Sequence, residues 1–280
     1  MRRKTLSEIV RDEIVARSGV MPFAHFMELA LYCPNLGYYE AKRDTVGRRG
    51  DFYTSVSVGN LFGELLAFQF AEWLEVLRGQ GDQLKIVEAG AHDGRLAVDI
   101  LGWLRSNRPG LYEKVDYCIL EPSLRRRQWQ RESVGSFIEK IHWLDGFDGV
   151  AASPMSGVIF SNELLDAFPV RRLGWDAKNQ KWFEWGVGLA GEHFAWIKME
   201  LARNDEPLNQ TPQHLLDVLP DNFTTEISPA AASWWRMAAT SLKRGKLIAA
   251  DYGLDADEFF LPSRVDGTLR GFFRHQFAND

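Results

Sequence analysis

Leu84-Lys85-Ile86-Val87-Glu88-Ala89-Gly90-Ala91-His92-Asp93-Gly94 runs from a short apolar strand through a carboxylate into a turn of small and turn-forming residues. The residues that follow, Arg95 to Leu104, carry apolar Leu96, Val98, Ile100, Leu101 and Leu104 and read as a helix. A strand, a glycine turn and a helix in that order make a floor whose backbone a bound nucleoside can approach closely. Glu88, which ends the strand, separates two ligand classes. Dinucleotide turns favour three glycines and bring phosphates to the helix N-terminus. A carboxylate at the mouth suits a positively charged ligand instead. Taken alone, the same pattern also describes a tight loop that binds nothing.

Composition narrows the field. A chain of 280 residues forms one large or two small domains with a substantial core, and 45% hydrophobic with 25% charged residues is ordinary for a soluble globular protein. The net charge of -5 argues against a dedicated nucleic-acid binder. The run Arg125-Arg126-Arg127 reads as the solvated face of a helix. Ten Trp and eighteen Phe are many, and core packing accounts for most of them. Cys33 and Cys118 lie far apart without metal-ligand spacing, which fits a reducing compartment and no metal site. Met1-Arg2-Arg3-Lys4 is followed by acids rather than an apolar run, and no stretch approaches the roughly 18 apolar residues of a membrane span. These features predict a soluble, cytoplasmic protein.

The chain then divides near residue 80. Thr5-Leu6-Ser7-Glu8 is a capping box opening a helix to about Ser18, and Pro22 starts another. Residues 33 to 59 lack periodicity and hold Tyr38-Tyr39 and Gly50-Asp51-Phe52-Tyr53-Thr54-Ser55, a long loop of the kind that is usually functional. Asn60 to Leu77 reads as a strong helix. Beyond 80, short strands alternate with helices: Tyr117 to Leu120, Ile141 to Leu144, Gly157 to Phe160 and Lys246 to Ala250. That pattern predicts an α/β fold with a mostly parallel sheet covered on both faces. Arg171 to Met199, rich in Trp among turn signals, reads as an antiparallel hairpin insertion of about residues 171–200.

Ligands of open parallel sheets bind beyond the carboxyl ends of the strands. Those ends carry Glu88, Glu121, Asp145, Asn162-Glu163 and Asp251. Glu121, ending the second strand, is placed to accept both hydroxyls of a ribose, which a carboxylate does better than a neutral group. Asn162 and Glu163 stand beside the reactive end of such a ligand. Glu163 and Asp166, three apart, share a helical face if a turn forms there, and could orient a cationic guanidinium or amine. The bland alternative is an acidic first turn favoured by the helix dipole. An acid-rimmed nucleoside site of this kind fits S-adenosylmethionine, whose ammonium and sulfonium are both cationic.

Taken together, an ordered set of motifs carries a resemblance. Asn35-Leu36-Gly37-Tyr38-Tyr39, Gly50-Asp51-Phe52-x-Thr54-Ser55, Phe62-Gly63-Glu64, Glu88-x-Gly90-x-x-x-Gly94, Asn162-Glu163-x-x-Asp166-Ala167-Phe168-Pro169 and Asp251-Tyr252-Gly253 resemble the MidA-like S-adenosylmethionine-dependent methyltransferases. The resemblance implies a class I (Rossmann-like) methyltransferase fold with an N-terminal helical cap over residues 1–80 and a methyltransferase domain over 81–280. It implies S-adenosylmethionine as cofactor, bound by Asp51, Phe52, Thr54, Ser55, Glu88, Gly90, His92, Gly94, Glu121 and Asn162. It implies a protein substrate methylated on arginine, in the mitochondrial members a respiratory complex subunit, with Asn162, Glu163 and Asp166 facing the acceptor. Two departures stand out. His92 occupies a position where the family usually has glycine, and a side chain there intrudes on the cofactor if it points inward. The family also continues beyond the Thr268–His275 segment into strands that close the sheet, so those strands are expected to be missing or replaced. The alternative function is a catalytically impaired cofactor-binding or assembly protein on the same fold.

Overall fold

The computed structural model describes residues 4–41, 59–77, 83–147, 154–201, 211–273 and 276–278. Its strands are β1 (Val20–Pro22), β2 (Leu84–Ala89), β3 (Val115–Leu120), β4 (Ile141–Leu144), β5 (Met155–Asn162), β6 (Arg171–Asp176), β7 (Lys181–Ala190), β8 (His193–Glu200), β9 (Thr224–Ile227), β10 (Leu242–Ala250), β11 (Gly271–Phe273) and β12 (Gln276–Ala278). The helices are α1 (Leu6–Ala16), α2 (Phe23–Tyr32), α3 (Tyr38–Ala41), α4 (Leu61–Leu77), α5 (Arg95–Asn107), α6 (Pro109–Tyr112), α7 (Leu124–Ser133), α8 (Gln213–Leu216), α9 (Pro229–Thr240) and α10 (Ala256–Phe259).

One sheet is parallel throughout, in the order β10-β5-β2-β3-β4. The chain starts at its centre, in β2, moves out through β3 to β4, then crosses back to β5 and β10. The strand order therefore reverses between β2 and β5, which is where an open α/β sheet leaves a crevice. Its central strands β2, β3 and β5 are buried on both faces, which explains why they read as nearly continuous apolar runs. Ile86 lies in a core with Phe70 of α4, Leu101 of α5, Tyr117 and Phe160. Val87 and Ala89, pointing the other way, join Trp234 and Ala238 of α9. Phe70 and Phe160 have ring centroids 5.0 Å apart. Burying side chains of this size contributes about 1.5–3 kcal/mol each, so the two faces fix the register of β2 and the position of Glu88 at its end.

A second sheet is antiparallel, in the order β1-β7-β6-β9, with β8 pairing the other side of β7. The predicted hairpin is thus three strands of a five-stranded sheet. The N-terminal helices pack onto it: Val10 and Ile14 of α1 and Phe23 of α2 share a core with Met21 and Val187. Phe23 meets Trp196 at 5.0 Å and Phe26 meets Phe194 at 5.9 Å, so the aromatic residues of the insertion are packing residues. Helix α4 packs on α5, β5 and β10. It stands with the parallel sheet, although a boundary at residue 80 groups it with the cap. Strands β11 and β12 pair with each other and, among the described residues, add nothing to the parallel sheet.

Candidate functional site

At the end of β2 the backbone turns through left-handed conformations at alternate residues: Gly90 (φ 73°), His92 (φ 46°) and Gly94 (φ 83°). The positive φ is what demands glycine at Gly90, and a Cβ there would lie 2.8 Å from Leu164 Cδ1, which would have to shift. Gly94 precedes α5, its N–H donates to Ala91 O at 2.7 Å, and its Cα faces Val134 rather than the cleft. It shapes the turn from behind. His92 takes up the glycine-like conformation and sits on the cleft wall, with its carbonyl accepting from Gln130 Nε2 at 3.2 Å. Asp93 Oδ1 accepts the Arg95 N–H at 3.0 Å and satisfies one of the first donors of α5.

Glu88 is 3% exposed, and its Oε2 accepts the Tyr117 hydroxyl at 2.7 Å. Burial pushes its carboxyl up to about 7, against the lowering effect of the Tyr117 hydrogen bond. Among the described residues no side-chain cation pairs with it. Glu88 belongs to the cleft wall, and its carboxyl keeps capacity for a positive charge that no described side chain supplies.

Glu121 is differently placed. Its Oε1 accepts the Ser123 N–H at 3.0 Å, and its Oε2 accepts Gln130 Nε2 at 3.2 Å and lies 3.2 Å from Arg126 Nε. The acid expected to be open for two ribose hydroxyls thus already serves three partners. Arg126 also lies over the Tyr39 ring, 5.8 Å from its centroid, and the Ser123 hydroxyl donates to Glu40 at 3.2 Å. Arg127 is buried, donating to Glu121 O and to Asp145. The arginine run is therefore not a solvated face: two of its members anchor α7 to the ends of β3 and β4. Asp145 points its exposed carboxylate to Arg127.

On the other side of the crevice, β5 ends at Asn162 and the chain kinks at Glu163, which has φ 49° and donates its N–H to Ala250 O at 2.8 Å. The turn that follows is a 3-10 turn, Leu165–Ala167. Glu163 lies outside it in a left-handed conformation, so Glu163 and Asp166 do not share a helical face as expected. Asp166 opens onto the cleft. Crowding by protein and the nearby Asp251 carboxylate raise its carboxyl to about 6. The Tyr32 hydroxyl donates to Ala167 O at 2.7 Å, and its ring stacks on Tyr39 at 5.6 Å. Burial and the negative charge of Asp166 push the Tyr39 hydroxyl up to about 12, so it stays protonated between the acids and Arg126.

Glu88, Gly90, His92, Glu121, Asn162, Glu163 and Asp166 all line one cleft. Asp51, Phe52, Thr54 and Ser55 lie outside the described residues. Sequence reasoning missed Tyr32, Arg126 and Gln130. Gln130 is fully buried and joins His92 O, Glu121 and Trp143 Nε1. A glutamine in a polar helix gives no sign of this.

Residues 65–280 match the family model for "Putative S-adenosyl-L-methionine-dependent methyltransferase". The mitochondrial protein arginine methyltransferase NDUFAF7 of Danio rerio is 38% identical over 98% of this chain and 66% of its own length. Its Homo sapiens counterpart is 38% identical over 94% of this chain and 61% of its own length. A Burkholderia thailandensis protein crystallised with S-adenosyl-homocysteine superposes with a TM-score of 0.84 at 30% identity, over 98% of this chain and 69% of that one. The chain spans about half to two thirds of the length of the curated relatives it matches. These relatives are mitochondrial proteins, and the cytoplasmic location read from the sequence is withdrawn on that finding. Among the described residues no helix is long and apolar enough to cross a membrane.

Proposed function

This chain belongs to the family of S-adenosyl-L-methionine-dependent methyltransferases, and on that premise we propose that it binds S-adenosylmethionine in the β2–β5 crevice and methylates an arginine of a protein. The observation that carries the reading is Glu88: a buried carboxyl on the cleft wall, without a cationic partner among the described residues, at the strand end where a cationic nucleoside would rest. The glycine turn fits the same ligand, because Gly90 leaves its backbone bare. When bound, S-adenosylmethionine supplies an electrophilic methyl group on a sulfonium.

The chain's own residues then have distinct tasks. Glu88 holds positive charge on the cofactor. Glu121 accepts ribose hydroxyl protons, sharing its carboxylate with Ser123, Gln130 and Arg126. Asn162, Glu163 and Asp166 face the acceptor, and Asp166, with its carboxyl near 6, is mostly ionised at neutral pH and orients a guanidinium. Glu163 and Asp166 would hold the acceptor nitrogen in line with that methyl group, and the proton released as the N–C bond replaces the C–S bond would pass to the ionised Asp166 carboxylate. Alignment and electrostatic matching supply the rate. The division near residue 80 enters this reading with α4 moved to the catalytic part.

The test is mass spectrometry of methylarginine in proteins from cells with and without this chain, with Asp166→Asn as the comparison. Methylarginine sites that vanish without the chain, and fall at least tenfold in rate with the variant, are expected. An unchanged methylation profile counts against the reading.

A further inference from the structure

We propose that Asp251 is a positioning residue of this transfer site: from outside the cleft it fastens the Asn162–Asp166 loop against the glycine turn and sets the charge that Asp166 feels. This rests on the methyltransferase reading given above.

Asp251 directly follows β10 and is not among the residues lining the cleft, although Tyr252 and Gly253 are. Its Oδ2 accepts two backbone donors from the loop, the Leu164 N–H at 3.1 Å and the Leu165 N–H at 2.8 Å. Its Oδ1 accepts the Tyr252 N–H at 2.8 Å. The two loop donors open the Leu165–Ala167 turn. Donors at the start of such a turn have no partner within it, and a carboxylate from elsewhere in the chain serves them here. The loop needs such ties, because Glu163 is held in the left-handed region that a non-glycine residue avoids.

The fastening reaches the cofactor side. Leu164 is pressed against Gly90, where a Cβ would come within 2.8 Å of Leu164 Cδ1. A loop released from Asp251 would thus free the turn that follows Glu88. Asp251 acts on Asp166 as well, because its negative charge is the largest influence after burial on the Asp166 proton. The other titratable groups around Asp166 are Tyr32, Tyr39 and Tyr252, each of which feels its charge, and Glu163 in the same loop. The tyrosines stay neutral at physiological pH. Asp251 therefore couples both halves of the site through one carboxylate: geometry through two N–H groups, and proton affinity through charge.

The test compares wild type, Asp251→Asn and Asp251→Ala in the whole chain. Hydrogen exchange at the Leu164 and Leu165 amides reads the tether, and carboxyl NMR reads the Asp166 titration. Asp251→Ala is expected to speed both amides about tenfold or more and to weaken S-adenosylhomocysteine binding several-fold. Asp251→Asn keeps an acceptor oxygen, so exchange changes less, while the Asp166 midpoint falls because the like charge is gone. Unchanged exchange in a folded Asp251→Ala chain, or an unmoved Asp166 midpoint in Asp251→Asn, overturns the proposal. Should the alanine variant fail to fold, the asparagine titration decides alone. A wild-type chain that takes up no S-adenosylhomocysteine overturns the methyltransferase reading, while the exchange and titration results still decide the role of Asp251.

Discussion

Glu88 holds a carboxyl where almost no water reaches, and its proton affinity follows from that. In the folded chain the carboxyl is raised to about 7 from 4.5. A raised carboxylate favours the fold below its unfolded value and loses that contribution as pH rises through its folded value. The loss amounts to about 3 kcal/mol between pH 4.5 and 7. Thermal melts of the ligand-free chain should therefore show Glu88→Gln gaining stability relative to wild type as pH rises to about 8, and equal shifts at both ends would contradict the burial argument. Gly90 offers a second test. Alanine there combines a positive φ with a 2.8 Å contact to Leu164. Gly90→Ala should lose about 1–3 kcal/mol in denaturant unfolding and weaken cofactor binding. His92 adopts φ 46° in the same turn, so the turn keeps a glycine-like shape at that position without a glycine.

Helix α7 shows where reading elements from sequence stops. Its residues are almost all polar, and periodicity assigns such a helix to the surface. In the structure Ser123 caps it, Arg127 ties it to the ends of β3 and β4, and Gln130 is sealed beneath it. Polar side chains that satisfy one another leave no hydrophobic period to detect. Gln130→Ala would leave Trp143 Nε1 without its acceptor and Glu121 without one of its donors. A loss of about 1–3 kcal/mol is expected in urea unfolding, together with weaker S-adenosylhomocysteine binding. Full retention of both would show that the network is dispensable. Helix α1, by contrast, was legible because its signal is local: the Thr5–Glu8 box forms as the sequence implies. Strands β1 and β9 were not. Each is short, and each exists because β7 or β6 offers an edge to pair with.

The whole molecule sets a parallel sheet beside an antiparallel one and places the cleft along both. The parallel half could be read from the sequence because burial on both faces writes apolar runs ending in acids. The crevice followed from those ends, and Glu88, Glu121 and Asn162 lie along it. What could not be read was how the acids are partnered, since Arg126 on Glu121 and Asp251 on Leu164 join residues by folding rather than by spacing. At this scale Phe70→Ala, which empties the contact between α4 and β5, should cost about 3–5 kcal/mol of global stability, read by denaturant unfolding. A small loss would mean that α4 is not integral to the sheet. Ligand binding at the switch point is the claim on which the rest depends. The most direct measurement is calorimetric titration of wild type and Glu88→Gln with S-adenosylhomocysteine at about pH 6, in buffers of differing ionisation enthalpy. The account predicts saturable binding to wild type with release of close to one proton, and weaker binding without that release in Glu88→Gln. Absence of saturable heat in wild type, or identical proton release in both chains, would contradict it.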